Sequence, residues 1–240
     1  MADQAPSPFR RPGFVAAAGF LAVIVVLGVV VAVADSGAGS SDDSAAPATA
    51  PPSGDGGRTS GGCQPTDTTQ QVPTAAPPGV RWELFQAIAL PTSATAGPLV
   101  QHGERRSCYA HTPVGAMIAA LQISARLTYS SQWRVILDQQ VVDGPGKTAL
   151  ARERASTGAS PPLPAGEVAQ VAGFRFITYS ADTAVISLLL RLAPSTYAES
   201  TLTVKWQDGD WRLELQPDGS PDIAGPQRSS LEGYVAWGGV

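Results

Sequence analysis

The chain has 240 residues and a formal net charge of −4, from 16 Lys+Arg against 20 Asp+Glu, with only two cysteines and two histidines. That balance excludes the basic footprint of a nucleic-acid binder, so direct nucleic-acid binding is not expected. The small stock of Cys and His leaves little for a metal centre or a redox motif. We read the excess of Arg over Lys, 14 to 2, as the mark of a GC-rich genome more than of a binding surface.

Residues 1–13 are short, polar and close with Arg10-Arg11, ahead of the apolar run Phe14 to Ala34, which holds no charged residue. About 20 apolar residues in a helix span a bilayer, so residues 14–34 are predicted to be a transmembrane helix. The basic residues before it and Asp35, Asp42 and Asp43 after it orient the anchor with residues 1–13 in the cytoplasm and the remainder outside the cell. Ala32-Val33-Ala34 has the form a signal peptidase accepts, so cleavage after Ala34 is the alternative. Signal h-regions are usually about 7–15 residues, which favours a retained single-pass anchor in the cell membrane. Both readings export the same domain.

Residues 35–79 are dominated by Ser, Gly, Ala, Pro and Thr and have almost no large apolar side chain. Such a segment cannot offset the entropy of ordering its backbone and is predicted to be a disordered tether, roughly 35–40 Å in root-mean-square span. Cys63 lies within it, and Cys108 is the other cysteine. In an exported chain the pair is expected to form a disulfide, worth roughly 3–4 kcal/mol in the chain-entropy view. Free thiols or an intermolecular bridge are the alternatives.

Residues 80–218 suit one α+β domain. A short strand opens it at Val80, where Trp82 and Leu84 alternate with Arg81 and Glu83. Thr112 as N-cap and Pro113 at the first helical position predict a helix from Pro113 to about Tyr129. Val114, Met117, Ile118, Leu121 and Ala125 would form a narrow apolar face, with Gly115, Ala116, Ala119 and Ala120 allowing close approach. Ser131 is expected to cap a second helix that ends at Gly144-Pro145, and Gly146 to Ser156 a third, short and exposed one. After a Pro-rich loop the period changes. Thr183 to Ala193 reads as a central strand buried on both faces. Two alternating runs follow, around Trp206 and Trp211, and Asp208-Gly209 between them signals a hairpin. Trp133, Trp206 and Trp211 are assigned to the core. The tail, residues 219–240, is Gly- and Pro-punctuated yet carries Leu231, Tyr234 and Trp237. It either docks on its own domain or serves as a partner contact.

Few residues are arranged for chemistry. His102, Cys108 and His111 are close in sequence, but a zinc site would need every Cys and His in the chain, so no metal and no cofactor are expected. No Gly-x-Ser-x-Gly elbow or phosphate loop occurs, and Asp138 is the one helix carboxylate that an enzyme in this fold could aim inward. Glu104-Arg105-Arg106 reads as a solvated loop.

Helices followed by an antiparallel meander resemble the NTF2-like cone. Gly97-Pro98, "HTPVGAMIAA" from His111, Trp133 and "LEGYVAWGG" from Leu231 further resemble a family of actinobacterial membrane-anchored proteins of integrative and conjugative elements. These are similar in architecture to VirB8- and TcpC-type components of conjugative secretion machines. The resemblance implies a non-enzymatic, membrane-anchored subunit or accessory factor of a DNA-transfer or type IV secretion-like apparatus. Its expected partners are other subunits of that apparatus, with homo-oligomerisation open. The alternative is an extracytoplasmic ligand-binding or sensory NTF2-like domain.

Overall fold

A computed structural model describes residues 63–157 and 168–239. The expectations for residues 1–62, the transmembrane helix among them, and for 158–167 lie outside those residues. Among the described residues no helix is long and apolar enough to cross a membrane.

The chain enters as an extended segment and forms the hairpin β1 (Val80–Phe85) and β2 (Ile88–Ser93), then the small hairpin β3 (Val100–His102) and β4 (Arg105–Ser107). The helices α1 (Pro113–Tyr129), α2 (Trp133–Gln140) and α3 (Pro145–Thr157) follow. The strands β5 (Gln170–Tyr179), β6 (Thr183–Ala193), β7 (Thr196–Gln207), β8 (Asp210–Glu214), β9 (Ile223–Arg228) and β10 (Val235–Ala236) complete it. The main sheet is antiparallel in the order β10-β5-β6-β7-β8, and β9 lies beside β7 as well. β7 is long enough for two neighbours on one edge: β8 pairs with Thr203–Gln207, while β9 pairs within the stretch Tyr197–Thr201. Register shifts in β5, at the end of β6 and in β7 act as bulges, which bend strands and curve the sheet.

α1 packs in the concavity. Its start follows from local chemistry: the Thr112 side chain accepts from the Gly115 N–H at 3.1 Å, and Pro113 occupies the first turn. The expected narrow apolar face is too modest a description. Gly115 to Ile123 is buried without a break, because the sheet, α2 and the β1–β2 hairpin close on the helix from different sides. Small residues permit this. A Cβ on Gly115 would lie 2.1 Å from the Ala110 carbonyl oxygen. Phe174, Ile186, Leu188, Val204, Trp211 and Leu213 are the sheet's contribution to the same core and are all fully buried. Each such side chain stabilises by roughly 1.5–3 kcal/mol relative to exposure.

Two helix boundaries differ from expectation. The Ser130 hydroxyl, not Ser131, accepts from the backbone at the start of α2, bonding the Gln132 N–H at 2.8 Å, and Ser131 is exposed. α2 also stops at Gln140 rather than at Gly144-Pro145. Val141 leaves the helix to bridge Leu213 of β8, and the Val142 N–H donates to the Leu213 carbonyl at 2.9 Å. A sheet hydrogen bond and a fully buried Val141 outweigh one more helical turn of β-branched residues. Pro145 then opens α3 instead of ending α2, as suits a residue with no N–H to pair.

The tether reading also gives way from Cys63 onward. Thr66 and Asp67 donate backbone N–H groups to the Thr95 carbonyl, Asp67 accepts from the Thr112 hydroxyl at 2.8 Å, and Gln70 bonds the His111 carbonyl. Residues 63–79 therefore belong to the folded domain.

Candidate functional site

The C-terminal segment supplies the most organised polar cluster. β9 lies against β7 and β10 against the free edge of β5, so residues 229–234 must cross the outer face of β6 between them. This strap accounts for the burial of both faces of β6 over Ile186–Leu189, whereas the end of the strand, Arg191 to Ala193, is exposed. Ser187 and Leu189 point away from the core side and are nonetheless fully buried. Gly173 lets the strap lie close, since a Cβ there would sit 2.9 Å from the Val235 carbonyl oxygen.

Five side chains from five elements meet under the strap. Glu199 of β7 accepts from the Ser187 hydroxyl at 3.0 Å and from Arg228 Nε at 2.8 Å, and lies 3.5 Å from a terminal nitrogen of Arg175. The Ser187 and Tyr234 hydroxyls are 2.7 Å apart. The Tyr234 ring is flanked by the Arg175 guanidinium at 4.8 Å and that of Arg228 at 5.5 Å, a double cation–π contact. Burial by itself would raise the Glu199 carboxyl, but hydrogen bonds from Arg228, Tyr234 and Ser187 prevail and hold it below the ordinary value. The same bond to Glu199 raises Arg228, and burial raises the Tyr234 phenol. Ser187 is closed off from solvent, so its hydroxyl is no nucleophile for an outside substrate. The arrangement is adhesive: it fastens the strap and leaves two guanidinium edges at the surface.

The strap continues to Trp237, which is buried and packs on Trp82 at 4.7 Å and on Phe174 at 5.5 Å between ring centroids. The Trp237 N–H donates to the Ala172 carbonyl. A groove of about 440 Å³ runs beside it, lined by Pro77, Val80, Trp82, Leu231, Trp237 and Arg191. A second groove of about 440 Å³ lies between residues 67–78 and Ser93–Ala96. Both are surface grooves, distinct from the interior of the sheet, which side chains fill.

Of the expected partner contacts, Trp237 is thus spent within the fold, whereas Leu231 and Tyr234 remain half-exposed. Cys63 and Cys108 form the disulfide, with a Cα–Cα distance of 5.4 Å. Cys108 has φ +69°, and its N–H and that of Tyr109 donate to the Asp210 carboxylate at 2.7 and 3.0 Å. Asp210 also accepts from the Trp211 N–H at 3.0 Å. Burial pushes its carboxyl up despite these three bonds. His111 stacks on Trp206, 4.0 Å between centroids, and its Nε2 meets the Ala181 carbonyl, while His102 is exposed in the β3–β4 hairpin. Among the described residues no group of three His, Cys, Asp or Glu is placed to hold a metal ion. Asp138 is exposed on α2 and does not aim inward. Glu104 does more than solvate a loop: its carboxylate accepts from the Ser130 hydroxyl. Neither Glu199 nor Asp210 stood out in the sequence, where each is one acid in an alternating strand.

Among the described residues, fold and site together define an α+β domain of three helices and a curved antiparallel sheet, closed by the Cys63–Cys108 disulfide and a C-terminal strap. The chain belongs to the family described as a domain of unknown function (DUF8175), whose model matches residues 41–236. No curated protein and no solved structure matches it.

Proposed function

We propose that this chain is a membrane-tethered, extracytoplasmic binding subunit that works through protein–protein contacts, as an accessory factor of a DNA-transfer or secretion apparatus. The observation that carries the reading is the Cys63–Cys108 disulfide. Disulfides persist in oxidising compartments, and this one lies downstream of the apolar run Phe14 to Ala34. The resemblance of "HTPVGAMIAA" and "LEGYVAWGG" to proteins of conjugative elements, and the NTF2-like reading of the helices and curved sheet, supply the transfer apparatus. Support for an adhesive rather than a catalytic role comes from the strap cluster, whose serine hydroxyl beside the carboxylate is sealed. A ligand-binding cone is less well supported, because side chains fill the space between α1 and the sheet.

The test is crosslinking in intact membranes followed by identification of what co-purifies with the full-length chain. Transfer ATPases or channel subunits among the captured proteins are expected. A soluble cytoplasmic location, or reduced cysteines in cells, would overturn the exported reading. Capture of the chain with no other protein would overturn the accessory role.

A further inference from the structure

β1 carries an unpaired edge whose charge pattern fits its own two-fold copy. Among the described residues β1 pairs only with β2, and the register places Phe85 opposite Ile88, Trp82 opposite Pro91 and Val80 opposite Ser93. Two observations fix which backbone groups face outward. Pro91 has no N–H to give Trp82, and the Ala89 N–H, opposite Leu84, donates to the Gln170 side chain instead. The N–H and C=O groups of Val80, Trp82 and Leu84 therefore point away from β2, since hydrogen-bonded and non-hydrogen-bonded pairs alternate along an antiparallel ladder. Among the described residues none of these groups has a hydrogen-bond partner. Leu84 beside them is 75 % exposed, where strict alternation with Trp82 would have buried it.

We propose that the chain forms a two-fold homodimer by pairing β1 antiparallel with β1 of a second copy, with Trp82 on the axis and Arg81 opposite Glu83 of the second copy. Alternation of the ladder restricts the central registers to those that pair outward-facing residues with each other. One of them centres on Arg81 and sets it against itself, and another centres on Glu83 and does the same. Like charges directly opposite destabilise a sheet pair. The register centred on Trp82 instead gives two Arg81–Glu83 pairs and sets exposed Leu84 against Val80. Those charge pairs fall at the non-hydrogen-bonded positions, where Cα atoms are about 4.5 Å apart and side chains lie closest. Charges on an edge strand commonly prevent pairing. Here Arg81 and Glu83 flank the one residue about which a two-fold makes them complementary, so they select a register as well as a partner.

The test uses the full-length chain in mild detergent. Two differently tagged variants, Arg81→Cys and Glu83→Cys, are mixed and oxidised. The expected product is a crosslinked heterodimer that forms only in the mixture, because Cα atoms at about 4.5 Å lie within disulfide reach. Crosslinking of either variant with itself in equal yield, or none in the mixture, would overturn the register. Independently, Arg81→Glu and Glu83→Arg should each raise the dissociation constant measured by sedimentation about tenfold, and the double exchange should restore it. Both positions are exposed, so folding is preserved. A monomeric wild type, or single and double variants with equal dissociation constants, would overturn the dimer. So would a monomer in which these substitutions alter only the capture of a different protein, which would assign the edge to that protein.

Discussion

Asp210 accepts from the N–H groups of Cys108, Tyr109 and Trp211, so an amide in its place would turn a donor toward at least one of them. Asp210→Asn is expected to destabilise the domain by about 1–3 kcal/mol, read as a lower midpoint in urea unfolding. Glu199 yields a pH dependence. Its folded value lies below the ordinary 4.5, so its contribution is fully present above that value and is lost as pH falls through the folded one. The wild type should lose stability on acidification below about 4.5 more steeply than Glu199→Gln, and equal slopes would contradict the cluster. These residues were not legible in the sequence for a physical reason. Arg175, Ser187, Glu199, Arg228 and Tyr234 come from different strands and a tail, and only the sheet register and the crossing strap bring them together. Thr112 and Pro113 were legible because a cap is a contact between near neighbours in the chain.

Among the elements, those governed by local chemistry match the sequence reading most closely. β6 spans Thr183–Ala193, the apolar run itself, and Asp208-Gly209 forms the β7–β8 turn with φ +52° and +81°, the two positive values that a type I′ turn demands. Where an element answers to a distant partner, the local pattern misleads. Val141 continues the helical period of α2 yet is taken by β8, and the tail, whose Gly and Pro punctuation gives no strand pattern, adds β9 and β10 to the sheet. The strap gives a prediction at this scale. Gly173→Ala would set a methyl 2.9 Å from the Val235 carbonyl oxygen, so the strap must shift or lift. Amide hydrogen exchange should quicken for Val235, Ala236 and Trp237 while α1 keeps its protection. Uniform quickening across the domain would mean that the strap is not a separable element.

For the whole molecule, the Cys63–Cys108 link closes a loop with a sequence separation of 45. Replacing both cysteines with serine should lower the unfolding free energy by roughly 3–4 kcal/mol, measured in urea with the oxidised wild type as reference. The hydrogen bonds of Asp67 and Gln70 are expected to keep the segment docked in the native state, so the loss acts mainly through the unfolded chain. The same link decides how the domain bears a mechanical load. A pull on the chain from its N-terminal side reaches Cys63 and passes through sulfur to Cys108, bypassing the β1–β2 hairpin altogether. From Cys108 the strain runs through Asp210 into β8, at one edge of the main sheet. The hairpin is thereby shielded from tension, and about 160 Å of contour length stays in reserve until the sulfurs are reduced. A protein held at one end and gripped by partners at the other would keep its β1 edge in shape under traction.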